Sequence, residues 1–400
     1  MTPNPDVRRL LVSQGLRAFV YGFGSVLLGA SLKSRGWSTQ QVGILLACIV
    51  AGTALMSIVV GRFGDRIGRR RLYGSLYLGL AATGFAFGLS SRLWVLALVA
   101  LFGTLSTEVN DSGPFTSLEQ AMLPSGLDAD QRTRVFGRYN IVAVFVGSFG
   151  ALAAGGPAMI RRAIPHLPVD QRFFLVFVPV GLAGAFIAMK LTSRVEVERA
   201  TQVKTLQRSR PVVVRLASLF AIDAFGGGFV IQSFIVYWFG KRFNLSLDKL
   251  GLIFFIVGLL QAASFAVATR LVKRVGLLNV MIFSHLPSNV LLAVLPLAPN
   301  LTVALVLLFA RFSLSQMDVP TRQAYVISLV DVNERTAASA YTNTARYIVR
   351  PLGPVLAGTA QRIAFGAPFV IAGTVKIVYD LALWNWFRRV PLADEKTLAG

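Results

Sequence analysis

Charge is scarce in this chain, and negative charge is scarcest. Only 14% of its 400 residues are charged, with 18 acidic side chains against 40 basic ones. A soluble globular chain carries about 25% charged residues, so there is too little polar surface here to face water all round. The single cysteine, Cys48, excludes an intrachain disulfide and reads as a small buried hydrophobe. Only two histidines occur, His166 and His285, which excludes a Cys/His metal set. No glycine-rich phosphate loop follows a strand. Gly226-Gly227-Gly228 lies inside an apolar run, where glycines serve close packing or a bend. No catalytic constellation appears, so the chain reads as a non-enzyme with no cofactor and no resident metal.

What is present is apolar. Hydrophobic residues make up 54% and the mean hydropathy is +0.63. A run of about 20 apolar residues spans the ~30 Å of bilayer hydrocarbon. Twelve such spans are predicted, near 9–32, 40–61, 72–90, 93–115, 134–156, 171–191, 212–240, 248–270, 276–297, 300–320, 337–360 and 366–387. Arg8 and Arg9 precede the first run, which extends past residue 28 with no small-residue cleavage site, so span 1 is expected to be an uncleaved helix. The net charge of +22 collects in the loops assigned to one face. That excess orients the chain with both termini cytoplasmic and meets anionic lipid, without any need for nucleic acid. The expected location is the plasma membrane, as a multi-pass protein of a bacterial inner membrane. Tyr237-Trp238-Phe239 and Trp384-Asn385-Trp386-Phe387 lie at span ends and read as interfacial belts.

Residues 61 to 72, G-R-F-G-D-R-I-G-R-R-R-L, form a basic hairpin between spans 2 and 3. Gly61, Gly64 and Gly68 permit a tight turn, and Asp65 is the lone acid among five arginines. Gly61, Asp65, Arg66, Gly68, Arg69 and Arg70 match G-x-x-x-D-R-x-G-R-R, so the hairpin resembles the loop 2–3 signature of the major facilitator superfamily. The chain also repeats itself. R-A-F-V-Y-G-F (17–23) stands against D-A-F-G-G-G-F (223–229) at an offset of 206, and S-T-Q-Q-V-G (38–43) against S-L-D-K-L-G (246–251) at 208. Gln120-Ala121, Arg132-Thr133 and Asn140 recur 203 residues on, and T-R-L-V-K-R-V-G (269–276) is a worn copy of the hairpin without its acid. The resemblance implies an all-α membrane fold of twelve transmembrane helices in two six-helix halves related by a parallel pseudo-twofold repeat. The halves are 1–192 and 212–400, joined by a basic linker over 193–211.

Charged groups inside membrane spans are costly unless paired or wetted, about 2.5 kcal/mol or more each. Placed on the superfamily's arrangement, spans 1, 4, 7 and 10 line a central cavity. Arg17 and Asp223 then occupy repeat-related positions near mid-membrane, as do Glu108 and Arg311, and Glu119 and Arg322 lower down. Arg17, Glu108, Asp111, Asp223 and Arg311 are expected to form a polar centre for substrate and protons. Arg346 and Arg350, spaced i, i+4, join it from span 11. Gly61, Asp65, Arg66, Gly68, Arg69, Glu119, Arg322 and Arg335 are expected to form an inner gate of breakable ion pairs at the cytoplasmic helix ends. Lys376 and Asp380, also i, i+4, read as a mutual structural pair on a peripheral helix.

The resemblance implies a monomeric secondary transporter of a small solute working by alternating access, with protons as the coupling ion. Proton-coupled efflux by antiport is the first expectation. An importer of an organic anion or sugar-like solute, or an ion or metal exporter, remains open, as do a transport-dead sensor and a lipid scramblase. The arginines favour a substrate bearing negative charge, because guanidinium groups bind carboxylate and phosphate bidentately.

Overall fold

The computed structural model describes residues 5–106, 113–123, 129–164, 170–196, 207, 209–330 and 334–390, with the backbone alone at 65, 129–134, 136, 137, 269, 273, 320, 327, 335 and 336. Among these residues the only regular elements are helices. The first part of the chain forms α1 (Pro5–Ser34), α2 (Thr39–Ile67), α3 (Arg69–Leu89), α4 (Leu93–Phe102), α5 (Pro114–Met122), α6 (Ala129–Ala153), α7 (Gly156–Ala163) and α8 (Phe177–Lys190). Then follow α9 (Arg210–Phe229), α10 (Gln232–Arg242), α11 (Leu247–Val275), α12 (Leu277–Val294) and α13 (Leu301–Leu314). The last are α14 (Asp318–Ser328), α15 (Arg335–Val349), α16 (Leu352–Ile363) and α17 (Ala367–Phe387). Nine helical stretches among the described residues are long and apolar enough to cross a membrane. The shorter apolar helices α4 and α13 stand at the start of predicted spans 4 and 10.

The sequence dictates several of the helix ends. Ser38 and Gln41 form a capping box at the start of α2, and the Asn300 side chain accepts from the Val303 N–H at the start of α13. The hairpin 61–72 is tighter than expected. Gly61 and Gly64 lie within α2, which runs on to Ile67 because its i→i−4 bonds continue up to the Gly68 N–H on the Gly64 carbonyl. The whole turn is Gly68, at φ 97°. Its repeat partner Gly276, at φ 84°, makes the same one-residue turn between α11 and α12. Only glycine adopts this conformation without strain.

The chain forms two compact units. Unit 1 comprises Met1–Ala200 with Ile231–Leu259, and unit 2 comprises Thr201–Val230 with Leu260–Gly400. The exchange falls at Val230–Ile231, where span 7 breaks into α9 and α10.

Within unit 1, helices meet through small residues, as they must where lipid supplies no hydrophobic drive between them. A Cβ on Gly22 would run into the Gly147 carbonyl, and one on Gly150 into that of Phe19, which fixes the crossing of α1 and α6. A Cβ on Gly184 of α8 would enter the ring of Tyr77 on α3. At Gly29, α1 meets Ser233 and Val236 of α10. Tyr237, Trp238 and Phe239 are consequently buried, correcting their reading as an interfacial belt. At the other predicted belt, Trp386 is exposed and Trp384 packs its ring against Phe283.

Unit 2 follows the same rule. A Cβ on Gly353 would lie 2.5 Å from the Gly228 Cα, which joins α9 to α16, and Gly373 of α17 abuts the Asn289 carbonyl of α12. Its core gathers Val213, Leu216, Phe220, Met281, Tyr325 and Tyr379.

Two carboxylates tie the ends of the connector to their own units. Glu196 accepts from the Arg69 N–H at 2.7 Å and the Arg70 N–H at 3.1 Å, so it caps α3 where the four first N–H groups lack helical partners. Glu334 accepts from the N–H groups of Gln207 and Ser209, at 2.8 and 2.9 Å, ahead of α9.

Candidate functional site

Among the described residues, each unit holds a buried polar centre. In unit 1 the centre is Glu119, carried by α5 and 0% exposed. Its Oε2 accepts from the Arg17 guanidinium of α1 and the Tyr139 hydroxyl of α6, both at 2.5 Å. Its Oε1 accepts from the Tyr73 hydroxyl of α3 at 2.6 Å. Arg17 also donates to Gln14, one turn earlier on α1, and to Tyr139, and lies over the rings of Phe115 and Tyr21. Tyr77 donates to the Ser13 carbonyl at 2.8 Å. Among the described residues one acid thus meets one base, with tyrosine hydroxyls in the carboxylate's shell. The arrangement is a closed, neutral pair of the kind that buried charges need.

In unit 2 the centre is Asp223 of α9, 3% exposed, and several cationic groups compete for it. Lys376 Nζ of α17 lies 2.5 Å from Oδ1, Arg322 of α14 lies 3.4 Å from Oδ2, and Arg346 of α15 lies 3.9 Å from Oδ2. Arg322 is held by Asp318, one turn earlier on α14, at 2.7 Å. Beyond Lys376 the network continues. His285 Nε2 on α12 is 3.5 Å from the Lys376 ammonium and 3.8 Å from Asp223. His285 Nδ1 is 2.8 Å from Oδ1 of Asp380, whose Oδ2 accepts from Asn289 at 2.8 Å. A neutral imidazole with its proton on Nδ1 would donate to Asp380 and turn the Nε2 lone pair toward Lys376; Asn289 Nδ2 also lies 3.1 Å from Nδ1.

The two centres are repeat copies with inverted sign. Arg17 and Asp223 are equivalent, as are Glu119 and Arg322, and each unit pairs its two members.

Sequence comparison fits this internal duplication. The family model described as Major Facilitator Superfamily matches residues 10–354 and 216–399. The chain belongs to the major facilitator superfamily. An uncharacterized membrane protein of Saccharomyces cerevisiae is 23% identical over 98% of this chain and 96% of its own length. A tetracenomycin C resistance and export protein of Streptomyces glaucescens is 32% identical over 43% of this chain, though over only 29% of its own length. In fold, the chain is similar to the inward open xylose transporter XylE of E. coli, with a TM-score of 0.74, 14% identity and 98% of both chains covered. It is also similar to the nucleoside transporter NupG, with a TM-score of 0.72, 13% identity, and 96% of this chain and 100% of that one covered. Membership of the superfamily indicates transport rather than enzymic chemistry, by a multi-pass membrane protein.

Arg17 goes to Glu119 in unit 1, whereas Asp223, Arg322 and Arg346 gather in unit 2. Arg350 ends α15 one turn beyond Arg346, and Arg311 of α13 is buried with its guanidinium over Phe312. Glu108 and Asp111 lie outside the described residues, as do the side chains of Asp65 and Arg335. Among the expected gate residues, Gly61 is exposed in α2 and Arg66 is exposed near its end. Arg69 donates to the Ala121 carbonyl at 3.0 Å. Glu119 and Arg322 are buried in the two polar centres.

Lys376 and Asp380 also need correction. They are not each other's partners: Lys376 turns to Asp223, and Asp380 to His285 and Asn289. Sequence reasoning missed Asn289 and gave His285 no functional role. The available signal was that His285 is a titratable residue in a membrane span, which alone marks a candidate.

Proposed function

We propose that the chain is a secondary transporter coupling a small anionic solute to protons, with Asp223 as the central charged group. The reading is supported by one contrast. In unit 1 a buried carboxylate has one cation and a shell of tyrosines, whereas in unit 2 Asp223 is contested by Lys376, Arg322 and Arg346. A carboxylate with several cationic partners can exchange them as protons and substrate come and go. Arg346 and Arg350 supply guanidinium groups for a carboxylate or phosphate on the solute. Alternating access would carry this site between the two membrane faces. The turn at Gly68, with Arg69 on Ala121 and Glu196 on α3, is the assigned conformational switch, and Asp65, Arg66 and Arg335 belong to it. The protein acts as a monomer with cytoplasmic termini.

Efflux is the first direction, favoured by the partial relative named for resistance and export. Uptake of an organic anion together with protons is the second, favoured by the three cationic groups gathered on Asp223. Proteoliposomes containing the full chain, given a panel of labelled organic anions under an imposed pH gradient of either sign, test both. Flux should follow the gradient, and the sign that drives accumulation fixes the direction. Asp223→Asn should abolish pH-driven flux while the protein stays monodisperse. A fully active Asn variant would remove Asp223 from the mechanism.

A further inference from the structure

The hydrogen-bonded chain in unit 2 does not stop at Asp223, and among the described residues its far end has no counterpart in unit 1. The one-residue turns at Gly68 and Gly276 set the register between α3 and α12 at 208 residues, which places His285 where unit 1 has Tyr77. In unit 1 the Tyr77 ring fills the space against Gly184 of α8, and its hydroxyl is spent on the Ser13 carbonyl. In unit 2 the corresponding helix pair, α12 and α17, instead buries an imidazole, an ammonium, a carboxylate and a carboxamide. Asp380 is 0% exposed and Asn289 1%. A pair of helices at the edge of the unit would be cheaper to build from apolar residues, since buried ionic groups rarely improve stability over them.

We propose that His285 and Asp380 form the proton-loading site of the transport cycle, acting on Asp223 through Lys376. The inference rests on the proton-coupled reading above and names the groups that take the proton. In the unloaded state the imidazole is neutral. Nδ1–H donates to Asp380, the Nε2 lone pair faces Lys376, and Lys376 is bonded to Asp223. A hydronium ion reaching the site gives its proton to Nε2 and leaves as water. Asp380 stays ionised and balances the new imidazolium. The Nε2–H then faces Asp223 Oδ1, 3.8 Å away, and stands beside the Lys376 ammonium as a second cation. Two like charges at that distance repel. Lys376 is displaced from Asp223, which frees the carboxylate and its arginines to rearrange around a solute. Release of the proton from Nε2 to water on the other face restores the starting network.

The surroundings of His285 leave this step room to be specific. From α17 it is faced by Asp380, Lys376 and the Tyr379 ring, and from α9 by Asp223. From α14 come Asp318 and, through Asp223, Arg322. Arg346 of α15 reaches the same carboxylate, and α13, packed along α12, brings Arg311 over its own Phe312. Asn289 on α12 itself orients Asp380 without titrating.

The chain has only two histidines, so His166→Asn leaves His285 as the sole imidazole. The full-length variant, labelled with 15N-histidine in nanodiscs of phosphatidylcholine and phosphatidylglycerol, is followed by NMR from pH 5 to 8. At the alkaline end the spectrum should show a protonated Nδ1 and a bare Nε2, and Nε2 should gain a proton within the window. Asp380→Asn and Lys376→Gln should each move the midpoint by about one pH unit or more, the scale of a close charge. Proton-driven flux is measured separately on the same proteins. A His285 that stays neutral throughout, or a midpoint unchanged in both variants, overturns the loading site even where flux remains proton-driven. Flux indifferent to pH in the unsubstituted protein overturns the coupled reading, and this site with it.

Discussion

Glu119 is fully buried, and among the described residues its charge is balanced by the guanidinium of Arg17. Glu119→Gln therefore leaves a buried cation without its counter-charge, an outcome that typically costs about 3–5 kcal/mol. Arg17→Met with Glu119→Leu removes both charges and should recover most of that loss, because a buried ion pair adds little over well-packed apolar groups. Thermal unfolding of the detergent-solubilised protein reads the difference, and a double variant as unstable as the two single losses summed would refute the paired account. The repeat offsets made these residues legible: Arg17 with Asp223, and Glu119 with Arg322, stood out as equivalents of opposite sign. Which residue pairs with which was not legible. An internal offset aligns one half on the other, but it does not show that α1 meets α5, or that α9 meets α14. Lys376 and Asp380 were misread for a related reason. Spacing of i, i+4 puts two charges on one face, but that face can offer each a better partner from a neighbouring helix.

At the scale of elements, the hairpin between α2 and α3 separates two glycines that look alike in the sequence. Gly68 holds φ 97° and ψ 127°, a conformation that costs an L-residue about 1–3 kcal/mol, and Glu196 caps the helix that starts there. Gly61 is helical, and nothing lies within 4 Å of where its Cβ would be. Gly68→Ala should lower the unfolding temperature, whereas Gly61→Ala should hold or raise it, since alanine is favoured over glycine inside a helix by about 0.5–1 kcal/mol. Equal effects of the two substitutions would contradict the one-residue turn. The motif identified the place of the turn but not its length. Three glycines in eight residues suit either a long loop or a helix that ends abruptly, and continuation of the backbone bonds to Gly68 decides for the second. The same bonds explain why the arginines at 62 and 66 extend from the last turns of a helix, not from a loop.

For the whole molecule, the break at Val230–Ile231 matters most. The sequence repeat counts 231–259 with the second half, yet in the structure this segment belongs to unit 1, where α10 packs on α1 and Arg162 pairs with Asp248 at 2.8 Å. Periodicity in the sequence records how the chain was duplicated. It carries no information about which body a segment packs with in one state of a moving protein. A cycle that moves the second half as one body must separate 231–259 from α1 at some stage. Lys33 Nζ of α1 lies 2.9 Å from the Asn244 side chain just past α10 and supplies a test of that separation. In a Cys48→Ala background, Lys33→Cys with Asn244→Cys should be bridged by a short bis-methanethiosulfonate reagent. Bridging should stop solute flux, and reduction should restore it. Undiminished flux in a fully bridged protein would mean that α1 and α10 travel together, and that the break in span 7 is the hinge between the moving bodies.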